Sequence, residues 1–454
     1  MGKKYDYDYI ENLIETDCIY DITDPELLRV IISKCTKEEF NIIKKLDLSG
    51  VCFDGISVKG FDFTGSKGVK INPQTVLDKD LSSTTLSGVE IIGSFDGVYI
   101  YYTNFTGNKG AKINPQTVRD RILANTTLSG VEIIGSFDGV YVEGTDFTGC
   151  KGVKINPQTV RGRILVNTEL SGVEIIGSFD GVDVRRTDFT GSKGAKIDPQ
   201  TVGCESLYDT KLSGVEIIGS LDGVDVRGTD FTGSKGAKID PQTVGYKRLN
   251  GTKLSGVEII GSFDDVDIEC TDFTGSKGAK INPQTVRYKS LQKTTLSGAE
   301  IIGSFDGVDV RETDFTESKG VKINPQTVKY KTLNNAKLSG VEIIGSFDGV
   351  SIYGTNFTGS KGAKIDPQTV LNKCLKNTTL SGVEIIGSLD GVDIRLTDFT
   401  GSLFAKMELR KVKYEVLKQI ILNEIETNSS DLEKIKILKK IDDSFKKDKN
   451  YHII

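Results

Sequence analysis

The sequence predicts a mainly β solenoid with helical ends, and three observations predict it. One 42-residue phrase recurs along most of the chain. Within that phrase a large apolar residue recurs about every five positions, and only the two ends switch to helical patterning.

The repeat comes first, because a missed repeat miscalls the whole fold. The phrase LSGVEIIGS begins at Leu86, Leu128, Leu170, Leu212, Leu254, Leu338 and Leu380, and a variant, LSGAEIIGS, at Leu296. In one unit the apolar centres are Ile197, Val202, Leu207, Leu212, Ile217, Leu221, Val226 and Phe231, and Ile239 opens the next. Their steps are 5, 5, 5, 5, 4, 5, 5 and 8 residues. Such a period matches neither an amphipathic helix nor a strand. An apolar residue every fifth position faces one core only if the chain turns a corner at each step. The intervening Gly, Asn, Asp, Ser and Thr are the residues that tolerate corners.

The number of sides follows from the irregular steps. Four centres (Leu48, Phe53, Val58 and Phe63) precede the first 8-residue step, and eight lie between later ones. If the extra residues always fall on the same side, the number of sides divides both four and eight. Four sides leave room for a core, and two do not. One lead-in coil and two coils per unit make about 17 coils, each touching only its neighbours. Phe231 is expected inside the stack and Arg227 outside.

The spacing, with segments such as Thr229-Asp230-Phe231-Thr232-Gly233, resembles the pentapeptide-repeat family over about residues 47–403. The resemblance implies a right-handed quadrilateral β-helix. Thr187-Asp188-Phe189 and Thr397-Asp398-Phe399 fit its motif well. The Leu207-type centres do not, because Glu205, Arg121 and Lys247 stand where a small inward residue is expected. The 8- and 4-residue steps also depart from the regular spacing, and a regular square section is not expected on the sides that carry them. The extra residues of the 8-residue steps, such as Gly233-Ser234-Lys235-Gly236, are expected to form exposed loops.

Residues 1–46 read as an N-terminal helical cap. Asp24 before Pro25 is an N-cap signal, and Thr36-Lys37-Glu38-Glu39 is a capping box ahead of Phe40, Ile43 and Leu46. Residues 404–454 read as a C-terminal helical cap. Leu409, Val412, Val416, Leu417 and Ile420 form one stripe, and Ile435, Leu438, Ile441 and Phe445 another. Both caps are expected to cover exposed sheet edges, and the C-terminal pair also offers a homodimer contact.

Composition argues against catalysis. The single histidine, His452, sits almost at the end, so neither a His-based triad nor an ordinary His/Cys zinc site is expected. Seven scattered cysteines (Cys18, Cys35, Cys52, Cys150, Cys204, Cys270 and Cys374) form no CxxC pair and read as reduced thiols of a cytoplasmic protein. The acidic start MGKKYDYDYIENLIETD has no apolar core of a signal peptide, and no stretch is long enough for a membrane span.

Charge is weak. Residues 1–46 carry 7 basic and 10 acidic side chains, and residues 404–454 carry 12 and 9. The totals of 58 and 63 therefore leave the repeat body at about −5. No nucleic-acid partner is expected from so weak a field.

Each candidate for chemistry has a structural explanation. The carboxylates Asp222, Asp225 and Asp230 recur in the units and read as corner residues rather than metal ligands or acid–base pairs. The Gly233–Gly236 segment lacks the spacing of a phosphate-binding loop. The sequon Asn125-Thr126-Thr127 follows from repeat composition. No catalytic, cofactor-binding or metal residue is therefore assigned, and no cofactor.

Two columns vary between units. One follows each Val202-type centre (LDKD, RDRI, RGRI, GCES, GYKR, RYKS, KYKT and LNKC). The other contains Tyr101-Tyr102, Glu143, Arg185-Arg186, Cys270 and Leu396. They either drift or individualise a binding surface. The expected function is a non-catalytic, rod-like scaffold or protein-binding solenoid with an unidentified protein partner. The alternative, implied by the resemblance, is a DNA mimic that binds a type II topoisomerase such as gyrase.

Overall fold

Corner residues at five-residue intervals fold the chain into stacked coils. The computed structural model describes residues 23–389 and 391–405, with backbone alone for 404 and 405. The chain is a β-solenoid of about 16 turns. It divides into two compact units, Met1–Ala237 and Lys238–Ile454.

In the first unit, helix α1 (Pro25–Ile32) starts where Asp24 accepts the amide of Glu26 at 3.0 Å. Helix α2 (Lys37–Ile43) starts with the predicted capping box between Thr36 and Glu39. Its Phe40 stacks on Phe61 at 4.2 Å and meets Phe63 edge-on at 4.9 Å. The rings of the first coil thus lie against a helix rather than in water. The predicted C-terminal helices, with their homodimer contact, lie outside the described residues.

The coils are joined by parallel bridges. Asp62 pairs with Thr85, Thr85 with Asn104, Asn104 with Thr127, and Thr127 with Asp146. These spacings alternate between 23 and 19 residues, which restores the 42-residue period over two coils. The four sides are visible in the buried centres. Ile71, Ile91, Ile113 and Ile133 line one side, and Val76, Phe95, Val118 and Phe137 the next. Leu81, Ile100, Leu123 and Val142 line the third, and Leu86, Phe105, Leu128 and Phe147 the fourth.

Packing alternates with the same two-coil rhythm. Phe95 meets Phe105 across the interior at 5.4 Å, and Phe137 meets Phe147 at 5.2 Å. The coil between them carries Val118 and Leu128 instead. Edge-on rings alternating with aliphatic layers fill the core without stacking every ring face to face. A second inward column holds buried threonines. Thr103 Oγ1 donates to the Leu81 carbonyl at 2.7 Å, and Thr126 Oγ1 to Ile100 at 2.9 Å.

Two sequence expectations are corrected. Glu205, Arg121 and Lys247 do not loosen the Leu207-type side, because Leu207, Leu123 and Leu249 are fully buried. At these corners φ turns positive (46°, 52° and 50°), which swings each long side chain outward. The 8-residue steps are not outward loops either. Lys151 pairs with Glu132 of the coil below, and three residues later Lys154 pairs with Glu174 of the coil above. The extra residues form a jog within the ladder. Gly236 shows why glycine sits there: its φ is 78°, and a Cβ would lie 2.7 Å from the Ile217 carbonyl oxygen.

The second unit repeats the pattern. Lys238–Ile239 pairs with Glu258–Ile259, and Phe263 meets Phe273 at 5.3 Å. Its last strand, Leu403–Ala405, pairs with Glu384–Ile386, so the ladder runs two residues past the expected boundary at 403. Among the described residues no helix is long and apolar enough to cross a membrane.

Candidate interaction surface

The recurring carboxylates are structural at the corners. Asp230 Oδ1 accepts the amide of Thr232 at 3.0 Å, and Asp146 and Asp188 do the same for Thr148 and Thr190. Asp225 is held by Arg227 at 2.7 Å. The amide of Asp222 donates to Ser220 Oγ at 3.0 Å. Among the described residues no three His, Cys, Asp or Glu side chains gather as a metal site would require. In the Gly233–Gly236 segment, Lys235 is bound into the ladder through Glu216 and its amide donates to the Val215 carbonyl. Of the sequon, Asn125 forms a corner at φ 54° and Thr126 is buried.

One side carries a repeated ion pair. Lys112 meets Glu132 at 3.0 Å, Lys154 meets Glu174 at 3.0 Å, and the second unit repeats it with Lys322 and Glu342 at 2.9 Å. These pairs are half exposed, so each adds at most about 1 kcal/mol, but each matches its glutamate with a lysine. The second isoleucine of each EIIG run points outward, and Ile134 is 59 % exposed. Sequence reading missed this, although the strand's alternation after the buried Ile133 signals it.

The first variable column falls on the left-handed corners. Its turn residues are Asp78, Asp120, Gly162 and Cys204 in the first unit. In the second they are Tyr246, Tyr288, Tyr330 and Asn372, each near φ 58°. Glycine or asparagine suits this conformation, and a bulky aromatic does not. Even so, the three tyrosines stand exposed there.

The second column becomes a slot. Tyr101 and Tyr102 form one wall, with ring centroids 6.1 Å apart and planes at 77°. Ile122 and Ala124, one coil on, form the floor. Tyr141 and Glu143, one coil further, form the opposite wall, and the Tyr141 hydroxyl donates to the Glu143 carboxylate. That hydrogen bond, with some loss of hydration and the nearby negative charge, raises the Tyr141 pKa above the usual phenol range. The slot is an open depression of about 420 Å³. The sequence showed Tyr101, Tyr102, Ile122 and Glu143 as variable, but not that residues 40 positions apart share one cavity.

Comparison with known proteins finds no matching family model and no matching curated protein. Among solved structures, the chain is similar to HetL, a pentapeptide repeat protein involved in heterocyst differentiation regulation from the cyanobacterium Nostoc sp. strain PCC 7120. Identity is 13%, with 78% of this chain and 88% of HetL covered at a TM-score of 0.11. It is also similar to QnrB1, a plasmid-mediated fluoroquinolone resistance protein, at 14% identity, with 51% of this chain and 90% of that one covered and a TM-score of 0.12. The fold rests on the chain's own ladder and buried columns, which make it a four-sided β-solenoid.

Proposed function

We propose that this chain is a non-catalytic, protein-binding solenoid whose outward corner residues individualise otherwise identical coils. One observation carries the reading. The same left-handed corner recurs eight times with the fold satisfied in each copy, yet its outward residue differs and in three copies is an exposed tyrosine. Backbone strain of this kind persists where the surrounding structure over-determines it, and it clusters at functional positions. Interfaces are likewise enriched in tyrosine. Mimicry of a DNA duplex is less well supported, because the recurring glutamates are matched by lysines at about 3 Å and Asp225 by Arg227.

The test uses the intact chain as bait in native lysate, beside a variant with Tyr246, Tyr288 and Tyr330 changed to Asn. A specific protein captured by the parent and lost by the variant is expected. Identical capture by both would remove the corners from the binding surface.

A further inference from the structure

The slot on the first unit is built from aromatic rings, apolar floor residues and one carboxylate. From that combination we infer that it is a recognition site for an alkylammonium group, presented as a lysine side chain, methylated or not, of a partner polypeptide. The inference deepens the protein-binding reading and rests on it.

Dimensions come first. The walls belong to coils two layers apart, so they stand roughly 9.6 Å from one another. A cation on the mid-line lies about 4.8 Å from each wall, inside the ~6 Å range over which an aromatic face attracts it. Tyr101 and Tyr102 stand nearly perpendicular and supply two adjoining sides of a box. Tyr141 lies across from them.

Charge selects the sign of the ligand. Glu143 is the one charged residue in the lining, and Asn125 adds a neutral polar group at the edge. Two cations lie near the tyrosine cluster but do not line the slot. Lys59 is 5.9 Å from the Tyr101 ring and held by Asp80 at 2.9 Å, while Arg119 lies 4.2 Å from the Tyr99 ring. The slot itself is therefore negative and aromatic.

The same place two repeats later supplies an internal comparison. Tyr208 replaces Ala124 on the floor, and Arg185, Arg186 and Arg227 replace Tyr101, Tyr102 and Glu143. The guanidinium groups of Arg186 and Arg227 each lie 5.5 Å from the Tyr208 ring. The chain therefore places its own cations against an aromatic ring in this position. At the first copy the small Ala124 leaves the floor open, and the rings have moved to the walls.

The test titrates the full chain with N-acetyl trimethyllysine methylamide and with the unmodified lysine amide. A third probe is the carbon isostere in which a tert-butyl group replaces trimethylammonium. Ligand-observed NMR reads binding. Saturable binding of an ammonium probe is expected, with the isostere about tenfold weaker because it lacks the cation–π attraction. Tyr101→Leu should weaken binding about tenfold. Glu143→Gln should weaken it severalfold, with the difference from parent shrinking as salt rises. Tighter binding of trimethyllysine assigns a methylated partner, and tighter binding of lysine an unmodified one.

Equal binding of the isostere would overturn the proposal, as would the absence of saturable binding by either ammonium probe. Glu143→Gln changes an outward side chain without altering its size, so it keeps the test valid if Tyr101→Leu fails to fold. Capture of a partner from lysate can succeed while this titration fails, so the two readings fall separately.

Discussion

Gly135 has no room for a side chain because Asn114, one coil below, occupies the space. A Cβ on Gly135 would lie 2.3 Å from Asn114 Oδ1 and 2.9 Å from its Cγ. That same oxygen accepts the amide of Gln116 at 3.1 Å. The relationship recurs at Asn156 and Gly177, and with an aspartate at Asp198 and Gly219. It gives a packing reason for the conservation of both phrases, KI[ND]PQTV and EIIGS, from unit to unit.

Gly135→Ala should therefore cost about 1–3 kcal/mol, because the Asn114 oxygen must leave its turn or the coil must shift. Amide hydrogen exchange around that corner is the suitable measurement, since a repeat array need not unfold as one unit. In an Asn114→Ala background the added cost should fall by more than half. Additive costs would mean the two residues do not meet.

Tyr288→Gly should stabilise the second unit. Tyr288 has φ 59° and is 63 % exposed. Relief of roughly 1–2 kcal/mol of left-handed strain outweighs the roughly 0.5–1 kcal/mol entropic cost of a glycine. A higher unfolding temperature is expected, and a lower one would show that the ring itself contributes packing.

The acid limb of stability should include Asp393. Hydrogen bonds from the Arg395 guanidinium, at 2.9 and 2.7 Å, lower its pKa to about 2. A pKa depressed on folding gives stability that is present above the unfolded value of about 3.9 and is lost as pH falls through the folded value. The loss should therefore fall between about pH 4 and pH 2, and be absent in Asp393→Asn. A carboxylate titration midpoint near 4 by NMR would refute the pairing.

Thiol alkylation at pH 8 should discriminate sharply between sites. Burial, with a contribution from the Glu39 charge, pushes the Cys35 thiol up to about 12, and burial does the same for Cys150. Cys52 and Cys204 are exposed. Because the thiolate is the reactive form, labelling of Cys35 and Cys150 should be at least ~100-fold slower than at Cys204. Mass spectrometry of timed samples reads this directly, and comparable rates would place the two thiols at the surface.

DNA gyrase should be unaffected at micromolar protein. The matched lysines and glutamates leave no continuous acidic row along that side. Inhibition in a supercoiling assay would promote the DNA-mimic alternative over the proposed function.

Much of the fold was legible because every inward position is set locally. Phe231, Leu207 and Ile217 were readable as core, since a corner every five residues leaves one direction for an apolar side chain, and all three are buried. Arg227 was readable as outward, but its pairing with Asp225 and its place over Tyr208 were not. The left-handed turns that carry Glu205 and Lys247 outward were also missed. No glycine marks those two positions, although the turn is closed by the Glu205 and Lys247 amides donating to the Val202 and Val244 carbonyls.

By itself, then, the sequence determined the period, the number of sides and the interior, because these follow from step lengths and residue polarity within a single coil. The tertiary structure decided which outward residues meet. Bridge spacings that alternate between 19 and 23 residues set Tyr101 and Tyr141 on either side of Ala124. The slot lies over Ala124, whereas two repeats later Tyr208 stands at the same place under Arg186 and Arg227. Such a contact joins three coils, and no one coil encodes it.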